Sequence, residues 1–171
     1  GWRARATLEL SQREQSVNSE VTLPPIARNF VPKFGARVSR EDVEGQTTVS
    51  YVLGTRLVRT TRENELAFSL QWYKDRKETA VLTDRLTSFP LNASTTWRKV
   101  DDLLYPQRGY SLNLQGGGAV EETFSDQRFL RLYAKGNYFH PLGDAQTLIV
   151  RAEVGGVKAS GRAGIPDDFL F

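Results

Sequence analysis

The stretch LLYPQRGYSLNL, residues 103–114, reads as a turn followed by the start of a β-strand. Apolar and polar side chains alternate in its second half: Tyr110, Leu112 and Leu114 against Ser111, Asn113 and Gln115. This period of two gives a strand one apolar face and one polar face. Pro106 and Gly109 are typical turn residues, and we expect them to bracket a tight four-residue turn. The rest of the chain must show what each face of the strand contacts.

The same alternation runs through nearly the whole chain, and no segment has a convincing helical pattern. Polar or proline-containing turns separate the alternating segments, and a longer polar loop is expected at KDRKETAVLTDR, residues 74–85. The pattern predicts about nine strands of about ten residues or more. They cover residues 2–12, 15–24, 33–42, 46–58, 65–74, 87–103, 109–119, 128–139 and 145–157.

Composition excludes several classes of protein. Hydrophobic residues make up 39% of the 171 residues and charged residues 25%, and we find no apolar run long enough for a transmembrane helix. A membrane β-barrel stays possible, because its strands give only an alternating signal. The absence of cysteine excludes disulfides, thiolate catalysis and cysteine-based zinc sites. With 23 basic and 20 acidic residues, the charge is too mixed to indicate a nucleic-acid partner.

The chain ends suggest that residues 1–171 are one partial domain. The opening GWRARATLEL has no signal-peptide layout and already reads as a strand, and the closing IPDDFLF carries no ending signal. We therefore expect a fragment that is cut at both ends.

Two folds fit the alternation, a soluble β-sandwich and an outer-membrane β-barrel. The polar faces carry charges in mid-strand, which either solvent or a water-filled barrel lumen accommodates. Long strands favour the barrel, as do aromatic residues near strand ends and short proline turns that alternate with longer or more acidic loops. A soluble β-sandwich that acts as a binding module is the remaining alternative.

The barrel hypothesis makes three structural predictions. The strands should form an open antiparallel sheet with Arg3 and Val154 on opposite edge strands. One set of side chains should share a convex, lipid-facing surface: Leu66, Phe68, Leu70, Leu130, Leu132, Leu148 and Val150. A second set should share the concave surface: Arg56, Arg131, Lys135, Arg151 and Glu153. Tyr105 to Gly109 should turn at the periplasmic rim, with Leu112 and Leu114 towards lipid and Asn113 and Gln115 towards the lumen.

The sequence gives only weak signals for a phosphate-binding, catalytic or metal-binding site. Gly116, Gly117 and Gly118 lack the Lys-Ser/Thr and the helix of a phosphate loop. His140, the only histidine, has Asp144 nearby but no obvious nucleophile, so we interpret it as a turn residue. Three acidic pairs suit calcium chemically but lack EF-hand spacing: Asp101–Asp102, Glu121–Glu122 and Asp167–Asp168. The arginines of the polar faces should pair with lumen carboxylates such as Glu9, Glu20 and Glu153.

Residues 97–115, WRKVDDLLYPQRGYSLNLQ, resemble the Asp-then-Pro-x-x-Gly hairpin of the BamA/TamA superfamily of outer-membrane assembly barrels, and most of all its TamA-like members. The following RLYAKGNYFHPLGDAQTLIVRAEVGGV and GIPDDFLF keep the family's order, and the resemblance is looser over residues 1–96. The motif residues are structural rather than catalytic: Asp101, Asp102, Tyr105, Pro106, Gly109 and Tyr110. The family barrel has roughly sixteen strands, and this chain would supply strands three to eleven. It stops before the family's Arg-Gly loop motif and lacks the periplasmic repeats and closing strands.

The resemblance implies a factor of the bacterial outer membrane that inserts or secretes client β-barrels or autotransporters by strand templating at a barrel seam. It implies no enzymatic activity and no cofactor or metal. The implied partners are outer-membrane lipid, client outer-membrane proteins and a periplasm-spanning TamB-like protein, with no nucleic acid. A passive outer-membrane pore is the first alternative, and a barrel hydrolase is disfavoured by the poorly placed His140.

Overall fold

The chain folds into one antiparallel β-sheet, with a single short 3-10 helix at Ala27–Asn29 among the described residues. The computed structural model describes residues 1–43, 46–79, 83–119, 125, 128–143 and 146–159. The strands are β1 (Arg3–Leu10), β2 (Glu14–Thr22), β3 (Val31–Val43), β4 (Gln46–Thr60), β5 (Asn64–Glu78), β6 (Thr83–Ser88), β7 (Leu91–Val100), β8 (Gly109–Ala119), β9 (Phe129–Pro141) and β10 (Thr147–Ala159). Within the described part of the chain, no helix is long and apolar enough to cross a membrane.

Each strand pairs with its neighbour in sequence, except that β6 and β7 both pair with β5. The two outer strands, β1 and β10, form the edges of the sheet, and in the described residues neither pairs on its other side. Arg3 and Val154 therefore lie on opposite edge strands, as predicted. A sandwich of two stacked sheets is excluded for the described residues, because all ten strands belong to one sheet.

The strand count differs from the predicted nine at β6 and β7. Residues 74–85 were expected to form a loop and residues 87–103 one strand, whereas β5 continues to Glu78 and β6 begins at Thr83. Leu70 pairs with Leu91 and Tyr73 pairs with Ser88, so both pairings share one register. The break falls at Phe89–Pro90, since proline has no N–H for the ladder. The Pro90 carbonyl still accepts a bond from the Gln71 N–H at 3.1 Å, so β6 and β7 act as one interrupted strand.

Residues that pair directly from strand to strand form rows across the sheet, and these rows run obliquely from one rim towards the other. Starting at Arg3, the first residue of β1, one row of paired residues passes through every neighbouring strand to Val157, two residues before the end of β10. The two ends of that row therefore lie near opposite rims of the sheet. Such a stagger is what tilted barrel strands require.

The register confirms the predicted faces. Leu66, Phe68 and Leu70 share a face with Leu130 and Leu132, and the same face carries Leu148 and Val150. The opposite face carries the charged set: Arg56, Arg131, Lys135, Arg151 and Glu153. That charged face is the concave one, because residues from β1 to β9 line one shared hollow of about 670 Å³ on it.

The sheet has two rims that we name by their connections. The proline rim joins β2 to β3, β4 to β5, β7 to β8 and β9 to β10, and the hairpin rim joins β1 to β2, β3 to β4, β5 to β6 and β8 to β9. The prediction that the proline-containing connections are shorter than the others is wrong in two places. The connections 23–30 and 101–108, expected to be short, have eight residues each, whereas β3 ends at Val43 and β4 already begins at Gln46. Prolines end a ladder without making the turn short.

Candidate functional site

The connection 101–108, which carries the predicted motif residues, is organised by the Asp101 carboxylate. Its Oδ1 accepts hydrogen bonds from the backbone N–H groups of Asp102 at 2.9 Å, Gln107 at 3.0 Å and Arg108 at 3.1 Å. These donations, chiefly that of Arg108, hold the pKa of Asp101 below its ordinary value. One side chain thus closes an eight-residue loop across its full width.

Asp102 performs the same task for the first half of the loop. Its Oδ1 accepts bonds from the N–H groups of Leu104 at 2.7 Å and Tyr105 at 2.9 Å, and they lower its pKa. With these carboxylate acceptors the chain forms a wide loop, not the tight turn of four residues that Pro106 and Gly109 had suggested. Leu103, Leu104 and Tyr105 are left exposed at 60%, 83% and 81%.

Gly109 and Tyr110 begin β8 directly after this loop. Gly109 has a φ of 119°, and a Cβ atom there would collide with the Lys99 carbonyl and lie 2.9 Å from the Val100 Cα. Only glycine meets both conditions without strain. Tyr110 lies on the apolar face and pairs directly with Tyr138 of β9. The motif therefore combines a carboxylate-held loop, a strand start that needs glycine and an outward aromatic residue.

The concave face is crossed by rows of polar side chains that hydrogen-bond from strand to strand. Asn113 donates to the Thr96 hydroxyl at 2.7 Å and accepts from Gln115 at 2.8 Å, and Arg131 donates to the Gln115 amide oxygen at 3.0 Å. This row links β7, β8 and β9. Asn113 and Gln115 thus lie on the concave side, as predicted, and Leu112 and Leu114 on the convex side.

A second polar row joins β8, β9 and β10. Asn137 donates to the Ser111 hydroxyl at 3.1 Å, and the Arg151 Nε donates to the Asn137 amide oxygen at 3.0 Å. Beside this row, Glu153 accepts a bond from the Tyr133 hydroxyl at 2.7 Å and lies 3.4 Å from the Lys135 ammonium.

The predicted pairing of lumen arginines with lumen carboxylates is found at Arg98, which lies 3.3 Å from Glu65 on the concave face, but the carboxylates named in the prediction have other partners. The carboxylates of Glu20 and Glu153 lie against lysines, with Lys33 at 3.3 Å from Glu20. Arg37 donates to the amide oxygen of Asn18 at 2.7 Å, just as Arg131 and Arg151 donate to amides. An amide oxygen accepts from a guanidinium without adding a charge that water must solvate. The concave face is therefore a network in which charged side chains contact both uncharged and charged partners.

The described residues of the concave face include an apolar cluster towards the hairpin rim. Tyr73, Ala119 and Phe129 are buried together, with Val52 and Val157 packed against them. Nearby, the Ser125 hydroxyl accepts a hydrogen bond from the Phe89 N–H at 2.8 Å. Part of the connection between β8 and β9 thus reaches the interruption between β6 and β7.

The convex face has charges only near its rims. Every acidic or basic side chain that the described strands place on this face lies within four residues of a strand end. Those at the proline rim are Arg59, Lys99 and His140, and those at the hairpin rim are Arg40, Asp42, Lys74, Arg76, Glu78, Arg85 and Lys158. The strands between these two levels present large exposed apolar residues, as a bilayer requires.

Aromatic side chains lie next to both charged levels of the convex face. Trp97, Tyr110 and Tyr138 lie within three residues of strand ends at the proline rim. Tyr51 and Trp72 lie towards the hairpin rim, where Tyr51 pairs directly with Lys74 and Trp72 precedes Lys74 by two residues on the same face. Two aromatic girdles that flank an apolar band are typical of outer-membrane barrels.

The Omp85 superfamily domain model matches residues 1–171, which is the full length of the chain. The chain belongs to the Omp85 superfamily. Proteins of this superfamily act broadly in the assembly and translocation of outer-membrane proteins. The chain matches no curated protein sequence.

The other residues of this Omp85 domain that the sequence offered as candidates for chemistry lie within strands or outside the described residues. His140 lies in β9, not in a turn, and stacks on Tyr138 with ring centroids 6.3 Å apart on the convex face. Gly116, Gly117 and Gly118 are interior residues of β8. Asp144, Glu121–Glu122 and Asp167–Asp168 lie outside the described residues. Among the described residues, no group of three His, Asp or Glu side chains is arranged to hold a metal ion.

The sequence did not reveal how this Omp85 domain limits charge on its convex face. Arg40 and Lys74 look like any other strand cations in the alternating pattern. Only the register and the stagger show that they lie at one rim, next to the aromatic residues Tyr51 and Trp72. The sequence signal for this position at the rim is weak and consists of Trp and Tyr residues close to these basic residues in the strands.

Proposed function

We propose that this Omp85 domain is a TamA-like barrel wall in the bacterial outer membrane that helps to insert or secrete client outer-membrane proteins. The observation that carries the proposal is the convex face, whose apolar band is bounded at both rims by aromatic and charged residues, opposite a hydrogen-bonded polar face. A charge in mid-bilayer costs about 2–4 kcal/mol for Arg or Lys, whereas lumen water accepts it. This arrangement suits a wall with lipid outside and water inside.

In this proposal the mechanism is strand templating at a seam between the first and last strands of the complete barrel. A free strand edge presents N–H and C=O groups that pair with an incoming strand. The described strands supply part of the barrel wall, and their register holds its curvature and height. The carboxylate-held loop 101–108 and the Gly109 start of β8 set that register at the proline rim, which we place in the periplasm.

We further propose that the activity involves no enzymatic chemistry and no cofactor. On the concave face the polar side chains hydrogen-bond one another, and His140, the only histidine, lies on the convex face. The partners are outer-membrane lipid, client outer-membrane proteins and a periplasm-spanning TamB-like protein, with no nucleic acid.

A passive pore is the second candidate, because the concave face lines a polar hollow. The full-length parent protein, reconstituted in lipid vesicles, separates the two functions. Assembly activity predicts faster insertion of an unfolded client barrel than in protein-free vesicles, measured by client protease resistance. Conductance without any acceleration of client insertion would overturn the proposal in favour of the pore.

A further inference from the structure

A group of basic side chains lies on the convex face at the hairpin rim. Arg40, Arg76 and Arg85 lie in one pairing row that runs through Val49 of β4, and Lys74 lies on the same face two residues before Arg76. All four basic side chains are exposed. We refer to Arg40, Lys74, Arg76 and Arg85 as the basic cluster.

The height of the basic cluster matches the phosphate level of a bilayer. Strands β4 and β5 have 15 residues each, whereas about 9–11 residues of a tilted strand cross the hydrocarbon core. Their excess length extends past Tyr51 and Trp72 at the hairpin rim. Lys74 follows Trp72 by two residues on the same face, so the basic cluster begins where the apolar band ends.

The arrangement of the basic cluster has an energetic cost in the protein alone. Arg76 and Arg85 are direct cross-strand neighbours on one face, and like charges placed directly opposite each other destabilise a sheet. Glu78 contacts Arg76, and Asp42 lies one step further from the apolar band, so two carboxylates face four basic groups. The cluster keeps a net positive charge on the side nearest the bilayer. An anionic group that lies between the cations would remove the repulsion.

In the part of the chain that the structure describes, the proline rim has no comparable group on its convex face. Its basic side chains on the strands, Arg59, Lys99 and His140, lie apart on β4, β7 and β9, and the Arg59 guanidinium lies over the Phe30 ring at 5.4 Å. Among the described residues, the basic side chains of the convex face are therefore concentrated in one group at the hairpin rim only.

We propose that the basic cluster binds the phosphate groups of an anionic lipid in the leaflet at the hairpin rim. This inference rests on the proposed placement in the outer membrane, where that rim faces outwards. The ligand is a phosphorylated glycolipid headgroup: its acyl chains lie against the apolar band, and its phosphates contact Arg76 and Arg85. Arginine is suited to this role because its planar fork of N–H donors matches phosphate geometry.

The test uses the full-length parent protein in a neutral detergent, with bisphosphorylated lipid A as the probe and native mass spectrometry as the readout. The double variant Arg76→Gln/Arg85→Gln should bind lipid A roughly tenfold more weakly, because each basic residue near an anionic surface contributes to attraction. A second variant, Arg40→Gln/Lys74→Gln, should weaken binding in the same direction. The matched control is Lys99→Gln at the proline rim, which should bind like the wild type.

Two further binding measurements show whether the cluster recognises the phosphates of the lipid or phosphate in general. Dephosphorylated lipid A should bind much more weakly to the wild type, and inorganic phosphate alone should not compete at millimolar concentration. In lipid-free detergent, Arg85→Gln should raise the unfolding temperature because it removes the repulsion from Arg76.

Equal lipid A binding by both double variants and the wild type would overturn the proposal. Full competition by inorganic phosphate would replace the lipid site with a simple anion site. These outcomes are separable from the proposed function, because client insertion is measured independently. A parent protein that binds lipid A through the cluster but never accelerates insertion would refute assembly activity alone.

Discussion

Asp101 and Arg108 hydrogen-bond each other twice across the connection between β7 and β8. The Asp101 N–H donates to the Arg108 carbonyl at 3.1 Å, and the Arg108 N–H donates to the Asp101 carboxylate at 3.1 Å. This reciprocal pair continues the β7–β8 ladder by one step beyond Val100 and Gly109. At this step the Asp101 carboxylate, rather than a backbone carbonyl, accepts the bond from the Arg108 N–H.

Removal of the Asp101 carboxylate should loosen this loop and lower the stability of the barrel. Asp101→Ala leaves the N–H groups of Gln107 and Arg108 without their acceptor, so the urea midpoint of unfolding should fall. Asp101→Asn keeps one acceptor oxygen and should show a smaller decrease. Equal midpoints for the alanine variant and the wild type would show that the loop is held by other contacts.

The stability of the loop should also depend on pH, and the lowered pKa values of Asp101 and Asp102 determine the direction of that dependence. A carboxyl whose folded pKa is depressed stabilises the fold above its unfolded pKa, about 3.9, and loses that contribution as pH falls through the folded pKa. The loop should therefore be unaffected between about pH 5 and 8 and loosen below about pH 4. The amide proton shifts of Gln107 and Arg108 report this directly. A transition near neutral pH would contradict the assignment.

Gly109→Val should hinder barrel insertion without removing any reactive group. The substitution strains a backbone with φ of 119° and pushes a side chain into the Lys99 carbonyl, at a cost of roughly 1–3 kcal/mol or more. Insertion of the parent protein, measured in cells by protease resistance at equal expression, should drop.

The matched control for Gly109→Val is His140→Ala, which changes an exposed side chain and should have little effect on insertion or client secretion. The opposite result, a silent Gly109→Val and an inactive His140→Ala, would refute the structural account and reopen an enzymatic one.

An arginine in the middle of the convex band should destabilise the folded barrel in a bilayer. Ala134→Arg places a charge on the lipid-facing side of β9, at a cost of about 2–4 kcal/mol. Asn113→Arg, on the concave side of the neighbouring strand, should cost far less because lumen water solvates it. Folding equilibria in vesicles measure the difference, and similar costs for the two variants would show that the face assignment is wrong.

The period of two was enough to predict the two faces, because one-residue alternation is a property of every extended chain. Leu112 against Asn113 was assigned correctly for that reason. The loop 101–108 was not predictable from turn residues alone, since carboxylate bonds from Asp101 and Asp102 let a wide loop replace a tight turn. The strand β6 was missed because its segment is rich in polar residues and is held by pairing with β5 rather than by its own pattern.

The uninterrupted register across Phe89–Pro90 has a consequence for how sequence length can vary in this domain. Insertion of a single residue at that point would turn Leu91 and Ala93 inwards and Asn92 and Ser94 outwards, because every later residue of the strand would change sides. Relatives should therefore keep a constant number of residues from the start of β6 to the end of β7. Gains and losses of residues should instead fall in connections such as 23–30, where no face depends on the count.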